Sequence, residues 1–165
     1  MIRKLILILF PLLSLALFAF FYQQKTRDVT QISNHTHTPI EFKDNTLQCP
    51  HCFMYLVGKK HTAQAIDAAG KTYFFDDPGC LILWTKEQKI ASETLTLWIY
   101  SMDTHRWIDM RKAHFDTKEI TPMGHGFAAY ENAQEGFIDF EEMHLHMLRG
   151  ESMANPKIKK QLLGQ

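Results

Sequence analysis

The sequence has no excess of charge of either sign: Lys+Arg and Asp+Glu both number 18. It therefore carries no net basic field to draw nucleic acid and no acidic tail. Cysteine is scarce, and the three present cannot all pair within one chain, so a disulfide framework is not what holds this fold. There is no phosphate-cradling glycine loop, no HExxH and no serine in a nucleophile elbow. Asp76-Asp77 is a carboxylate pair, but two adjacent acids ahead of a helix are accounted for by capping. The chain is not expected to be an enzyme.

What the sequence does have begins at its N-terminus. Met1-Ile2-Arg3-Lys4 supplies two positive charges, and Leu5 to Tyr22 then runs without a charged residue. About 20 apolar residues span a bilayer, whereas signal-peptide cores usually run about 7–15. Arg3 and Lys4 would stay cytoplasmic and send the rest of the chain across. Ala16 and Ala19 are three apart with Phe18, Phe20 and Phe21 around them, a poor cleavage site. No cysteine closes the apolar run, which removes lipid attachment there. The expectation is an uncleaved single-pass anchor over 1–22, with a removed signal as the other reading. The folded part would lie on the periplasmic side of the cytoplasmic membrane. Residues 23–44 are polar and are expected to form a flexible linker, in which His35 and His37 are solvated. Residues 45–150 would be the folded domain, and the polar tail 151–165 is expected to fray.

Within the domain, Phe53 to Val57 is a short strand candidate, and His61 to Ala68 and Lys71 to Phe75 flank a turn at Ala69-Gly70. Asp76-Asp77-Pro78-Gly79 opens a helix running to about Gln88. Leu95 to Ser101 and Trp107 to Phe115 form the next strand pair, followed by a strand over Gly124 to Tyr130. Asn132 is expected to cap a second helix reaching Arg149. The order predicts an α+β fold, an antiparallel sheet covered by helices, built from two related ββα halves.

Soft donors mark the chemistry. Cys49-Pro50-His51-Cys52-Phe53-Met54 packs two thiols and a thioether into six residues. Thiolates and thioethers favour Cu(I), whereas zinc is bound through Cys, His and carboxylates, so Met54 tilts the choice towards copper. Cys80, in the first turn of a helix, is either a reactive thiol or a small core residue. In Thr121-Pro122-Met123-Gly124-His125-Gly126, glycines flank a Met and a His, and the loop reads equally as a ligand loop or as structure. Met143 and Met147 share a helix face and are expected in the core. His51 is expected to tune its neighbouring thiols, and His61, His105 and His114 to be structural. Two rival classes remain. A thiol-disulfide redox protein would use Cys49 and Cys52, but a β-like run follows Cys52 where a redox CxxC opens a helix. A structural zinc site would need a second ligand pair that the sequence does not supply.

Four blocks in order resemble the NosL family, accessory proteins of nitrous oxide reductase maturation. They are Cys49-Pro50-His51-Cys52-Phe53-Met54, Phe75 to Trp84, Trp107-Ile108-Asp109, and Thr121 to Tyr130. The resemblance implies a Cu(I)-binding protein outside the cytoplasm that supplies copper for the enzyme's metal sites. It also implies a partner transporter complex in the membrane and paired ββα units distantly akin to organomercurial lyase. The donors implied are Cys49, Cys52, Met54 and Met123, with Cys80 and His125 at further matching positions. The chain departs from the family at Phe53, where Gly is more usual, and in lacking a lipidation cysteine.

Overall fold

The computed structural model describes residues 2–27 and 31–164, with side-chain surroundings given for 9–21 and 32–164. Helix α1, Ile2–Arg27, continues through Pro11, and each residue from Leu9 to Phe21 is exposed. Among the described residues no helix is long and apolar enough to cross a membrane. The expected anchor falls partly outside them: Arg3, Lys4, Leu5 to Ile8 and Tyr22 lie outside the described side chains.

The domain is mixed α+β with antiparallel pairing. Strands β1 (Gln31–Ser33), β2 (Ala63–Ile66), β3 (Lys71–Phe75), β4 (Thr96–Tyr100) and β5 (Trp107–Asp109) form one sheet in the order β1-β3-β2-β4-β5. Ala63 pairs with Phe75 on one side and with Ile99 on the other. Strand β2 is therefore central, and all four of its residues are buried. Its one polar member, Gln64, satisfies its amide on the Ile40 backbone, accepting from the amide at 2.9 Å and donating to the carbonyl at 2.8 Å. A second, two-stranded sheet joins β6 (His114–Asp116) to β7 (Ala128–Tyr130).

Helix α2 (Pro78–Gln88) lies between β2, β3 and helix α3 (Phe140–Arg149), so Cys80, Leu81, Ile82 and Trp84 are all buried. A helix covered on opposite sides has no polar stripe over its buried turns, and α2 carries its Lys and Glu residues only at its far end. Met143 and Met147 of α3 complete this core with Phe74, Phe75, Phe115 and Phe127. Fully burying one such side chain contributes about 1.5–3 kcal/mol.

Several expectations are corrected. Residues 53–57 are not a strand; Tyr55 forms only an isolated bridge to Gln48. The run Trp107 to Phe115 is broken, because Asp109 accepts from the Arg111 amide at 3.1 Å and starts a 3-10 turn over Met110–Lys112. Strand β6 beyond that turn leaves the large sheet. The unit β2-β3-α2 is thus a ββα unit, whereas the later one carries the β6–β7 ribbon between β5 and α3. Asn132 does not cap α3, since its amide groups donate to Asp103; the cap is Asp139, which accepts from the Glu142 amide at 2.9 Å. Residues 31–44 are not a free linker: β1 pairs with β3, and Ile32, Ile40 and Phe42 pack on the core. The tail does not fray either, because Asn155 caps helix α4 (Pro156–Leu163), with Pro156 in its first turn and Gly164 closing it.

Candidate metal centre

Residues 45–57 fold back on themselves. The Cys49 amide donates to the Met54 carbonyl at 2.9 Å, and the Leu56 amide to the Leu47 carbonyl at 3.0 Å. At the tip the Phe53 amide reaches the Cys49 carbonyl at 3.0 Å. This closure needs a left-handed residue, and Phe53 adopts φ 62° there. That is a glycine-favoring conformation, strained for an aromatic residue. In return, the tight turn aims the amides of His51 and Cys52 at the Cys49 sulfur and that of Met54 at the Cys52 sulfur. Amide dipoles directed at sulfur stabilise thiolate.

The facing wall comes from the β3–α2 junction. Asp77 caps α2, accepting from the Gly79 amide at 2.8 Å, and Pro78 occupies the first turn. Cys80 follows, fully buried at the helix start. Asp76 points the other way from Asp77 and accepts from the Cys52 thiol at 3.2 Å, while its second oxygen is buried with no partner. One ligand atom from each of Cys49, Cys52, Asp76 and Cys80 lies within 4.8 Å of the others. All three cysteines are free; Cys49 and Cys80 are fully buried and Cys52 is partly open to solvent.

These thiols do not share their protons evenly. Cys80 donates to Cys49, which holds the Cys49 thiol below its ordinary range, with the backbone amides adding to the effect against burial. Cys80 itself is pushed up by the same hydrogen bond and by burial. Burial, the neighbouring Asp76 and Cys49 push Cys52 up to about 12. The group thus presents one thiol eased towards its thiolate and two held protonated, beside a buried carboxylate oxygen that lacks a partner. Such a set of three sulfurs and one oxygen could hold a metal ion, which would displace the remaining protons.

Neither a family model nor a curated protein matches the chain. The structure brings together three of the expected donors, Cys49, Cys52 and Cys80. Met54 sits on the same hairpin, 44% exposed. Met123 is 36% exposed, and its amide donates to Asp77 at 3.2 Å, which pins its loop against the start of α2. His125 is buried with its ring against Gly79, outside the four-donor group. His51 contacts Glu87 at 3.1 Å and so ties the hairpin to α2. His37 lends its carbonyl to the Trp98 indole at 2.9 Å.

Sequence reasoning missed Asp76. It assigned the acid pair to capping, which is correct for Asp77 alone. A signal was available: successive residues of an extended segment face opposite ways, so two adjacent acids cannot both cap the same helix.

Proposed function

We propose that this chain is a Cu(I) chaperone of the NosL type, tethered at the outer face of the cytoplasmic membrane by its N-terminal helix. In this reading it passes copper on for assembly of the copper sites of nitrous oxide reductase, together with the membrane transporter complex of that system. The observation that carries the reading is the gathering of Cys49, Cys52 and Cys80 within 4.8 Å, with a carboxylate, from segments about 30 residues apart in sequence. Sulfur-rich, low-coordinate sites suit Cu(I). Cys52 is the partly open member, which gives a partner's ligand somewhere to attack. Met54 and Met123 add exposed thioethers, which survive in an oxidising compartment where thiols are lost to disulfide. The related ββα halves implied by the resemblance belong to the same proposal.

The rival redox reading loses support at Cys52, which is followed by a hairpin rather than a helix, and at the third thiol. A zinc site competes more seriously, because three thiolates and a carboxylate suit zinc as well. Competition of the reduced chain against a Cu(I) chelator, with zinc as the second metal, separates them. One Cu(I) per chain, held in preference to zinc, is expected. No transfer of copper from the chelator would end the proposal. In the same titration Met123→Leu lowers Cu(I) affinity with folding intact, whereas Met143→Leu does not, since Met143 lies wholly in the core. Equal affinities for wild type and Met123→Leu would remove Met123 from the copper path.

A further inference from the structure

The hairpin that carries Cys49 and Cys52 divides its apolar residues sharply. Leu47, Cys49 and Leu56 are buried, whereas Phe53, Met54, Tyr55 and Val57 are 44–66% exposed. Among the described residues outside α1, four of the eight exposed large apolar side chains fall in this one five-residue stretch. Single exposed apolar residues are ordinary, but a contiguous group marks a contact surface. Phe53 is a second sign. Its backbone at φ 62° is strained where glycine would be at ease, yet its ring lies largely in solvent. Neither the turn nor the core needs that side chain.

The connection to α1 shows what covers this surface. Gln31 opens β1 opposite Tyr73, and Tyr73 stands three residues before Asp76, which accepts from the Cys52 thiol at 3.2 Å. Those three strand positions amount to about 10 Å. Because β1 is antiparallel to β3, the chain arriving from α1 joins the sheet at the end where the hairpin sits. Only residues 28–30 separate Arg27, the end of α1, from Gln31. Four steps of fully extended chain reach at most about 14 Å. The exposed apolar side chains of α1 and those of the hairpin therefore belong to the same end of the molecule.

We infer that the tip formed by Phe53, Met54, Tyr55 and Val57 is a second membrane contact, which dips into the lipid surface beside the root of α1. The inference rests on the reading that α1 lies in the membrane, and it does not depend on copper. Aromatic rings with aliphatic neighbours suit the headgroup level, where one side is apolar and the other wet. So short a tether keeps the hairpin end beside the lipid in every copy of the chain, which favours lipid over a separate protein partner. Seated in this way, Cys52, the partly open thiol, stands next to the lipid surface. A membrane-bound acceptor could reach it there without the domain turning over.

The full chain carrying Tyr55→Trp, reconstituted in phosphatidylcholine vesicles with or without bromine on the acyl chains, tests this. The fluorescence added by the new indole is the difference from the wild type. It is expected to shift to the blue and to lose most of its intensity to the brominated lipid. Adding Phe53→Gly and Val57→Ser should abolish both effects. The fold should survive these changes, because all three positions are exposed and glycine relieves the strain at residue 53. A chain that floats with the vesicles while its added indole stays unshifted and unquenched overturns the inference and leaves the anchor standing. A chain that does not float at all overturns both. A blue shift without quenching by brominated lipid means that protein covers the tip, and quenching that survives Phe53→Gly with Val57→Ser means that the tether alone brings it near. Either result also overturns the inference.

Discussion

Cys80→Ser is expected to lower the affinity of the chain for Cu(I) by at least about 100-fold, more than loss of a supporting residue around a metal usually costs. Serine nearly matches cysteine in size, so the α2 core keeps its packing. Its hydroxyl can still donate to Cys49, but oxygen is a poor Cu(I) ligand. The pH dependence should change with it. Cys52, pushed up to about 12, and Cys80, pushed up by its bond to Cys49 and by burial, are both protonated near neutrality. Copper must displace both protons, so wild-type affinity falls as pH falls, by at least roughly 100-fold per unit, tenfold for each proton released. Cys80→Ser releases one proton fewer, and the slope becomes shallower by roughly tenfold per unit. Chelator competition at several pH values measures both quantities. Unchanged affinity and slope would place Cys80 outside the site and return it to the core.

The largest expected effect on stability is at Asp77. This one carboxylate caps α2 through the Gly79 amide, holds the Met123 amide, and bonds Thr121. Asp77→Ala removes the cap, worth about 1 kcal/mol. It also removes the acceptor of the partly exposed Met123 amide and of the Thr121 hydroxyl, at about 1–2 kcal/mol for each bond to the charged carboxylate lost. A loss of about 3–5 kcal/mol follows, a large share of the 5–15 kcal/mol typical of a domain. Asp77→Asn keeps one acceptor oxygen and should recover part of it. Urea unfolding followed by tryptophan fluorescence reads both variants. A loss below about 1 kcal/mol for Asp77→Ala would mean that the 121–126 loop does not depend on this anchor.

Where periodicity and capping chemistry were strong, the sequence was readable. Lys71 to Phe75, opened by the turn at Ala69-Gly70, forms β3, and Asp77-Pro78 begins α2. The core role of Met143 and Met147 followed from their shared helix face. Failures came where a tertiary partner decides. The hydrophobic run at residues 53–57 looks like a strand, but the turn that presents Cys49 and Cys52 twists it into one arm of a hairpin. Asn132 has the chemistry of a cap, yet Asp103 claims it from across a loop. Residues 31–44 are polar enough for a linker, but the exposed edge of β3 recruits three of them as β1. The helix at residues 156–163 was legible in Asn155, Pro156 and Gly164, and the polar composition of the tail hid it. For the metal centre, the three cysteines could each be singled out. Their meeting depends on how β3 leads into α2 against the hairpin, which spacing does not encode.

The central claim is that the thiol cluster holds a soft metal through sulfur. X-ray absorption at the copper edge of the full chain loaded with one equivalent of Cu(I) tests it most directly. A first shell dominated by two to three sulfur scatterers, with sulfur lost in Cys80→Ser, is the predicted result. A shell of nitrogen and oxygen alone, unchanged in that variant, would contradict the account.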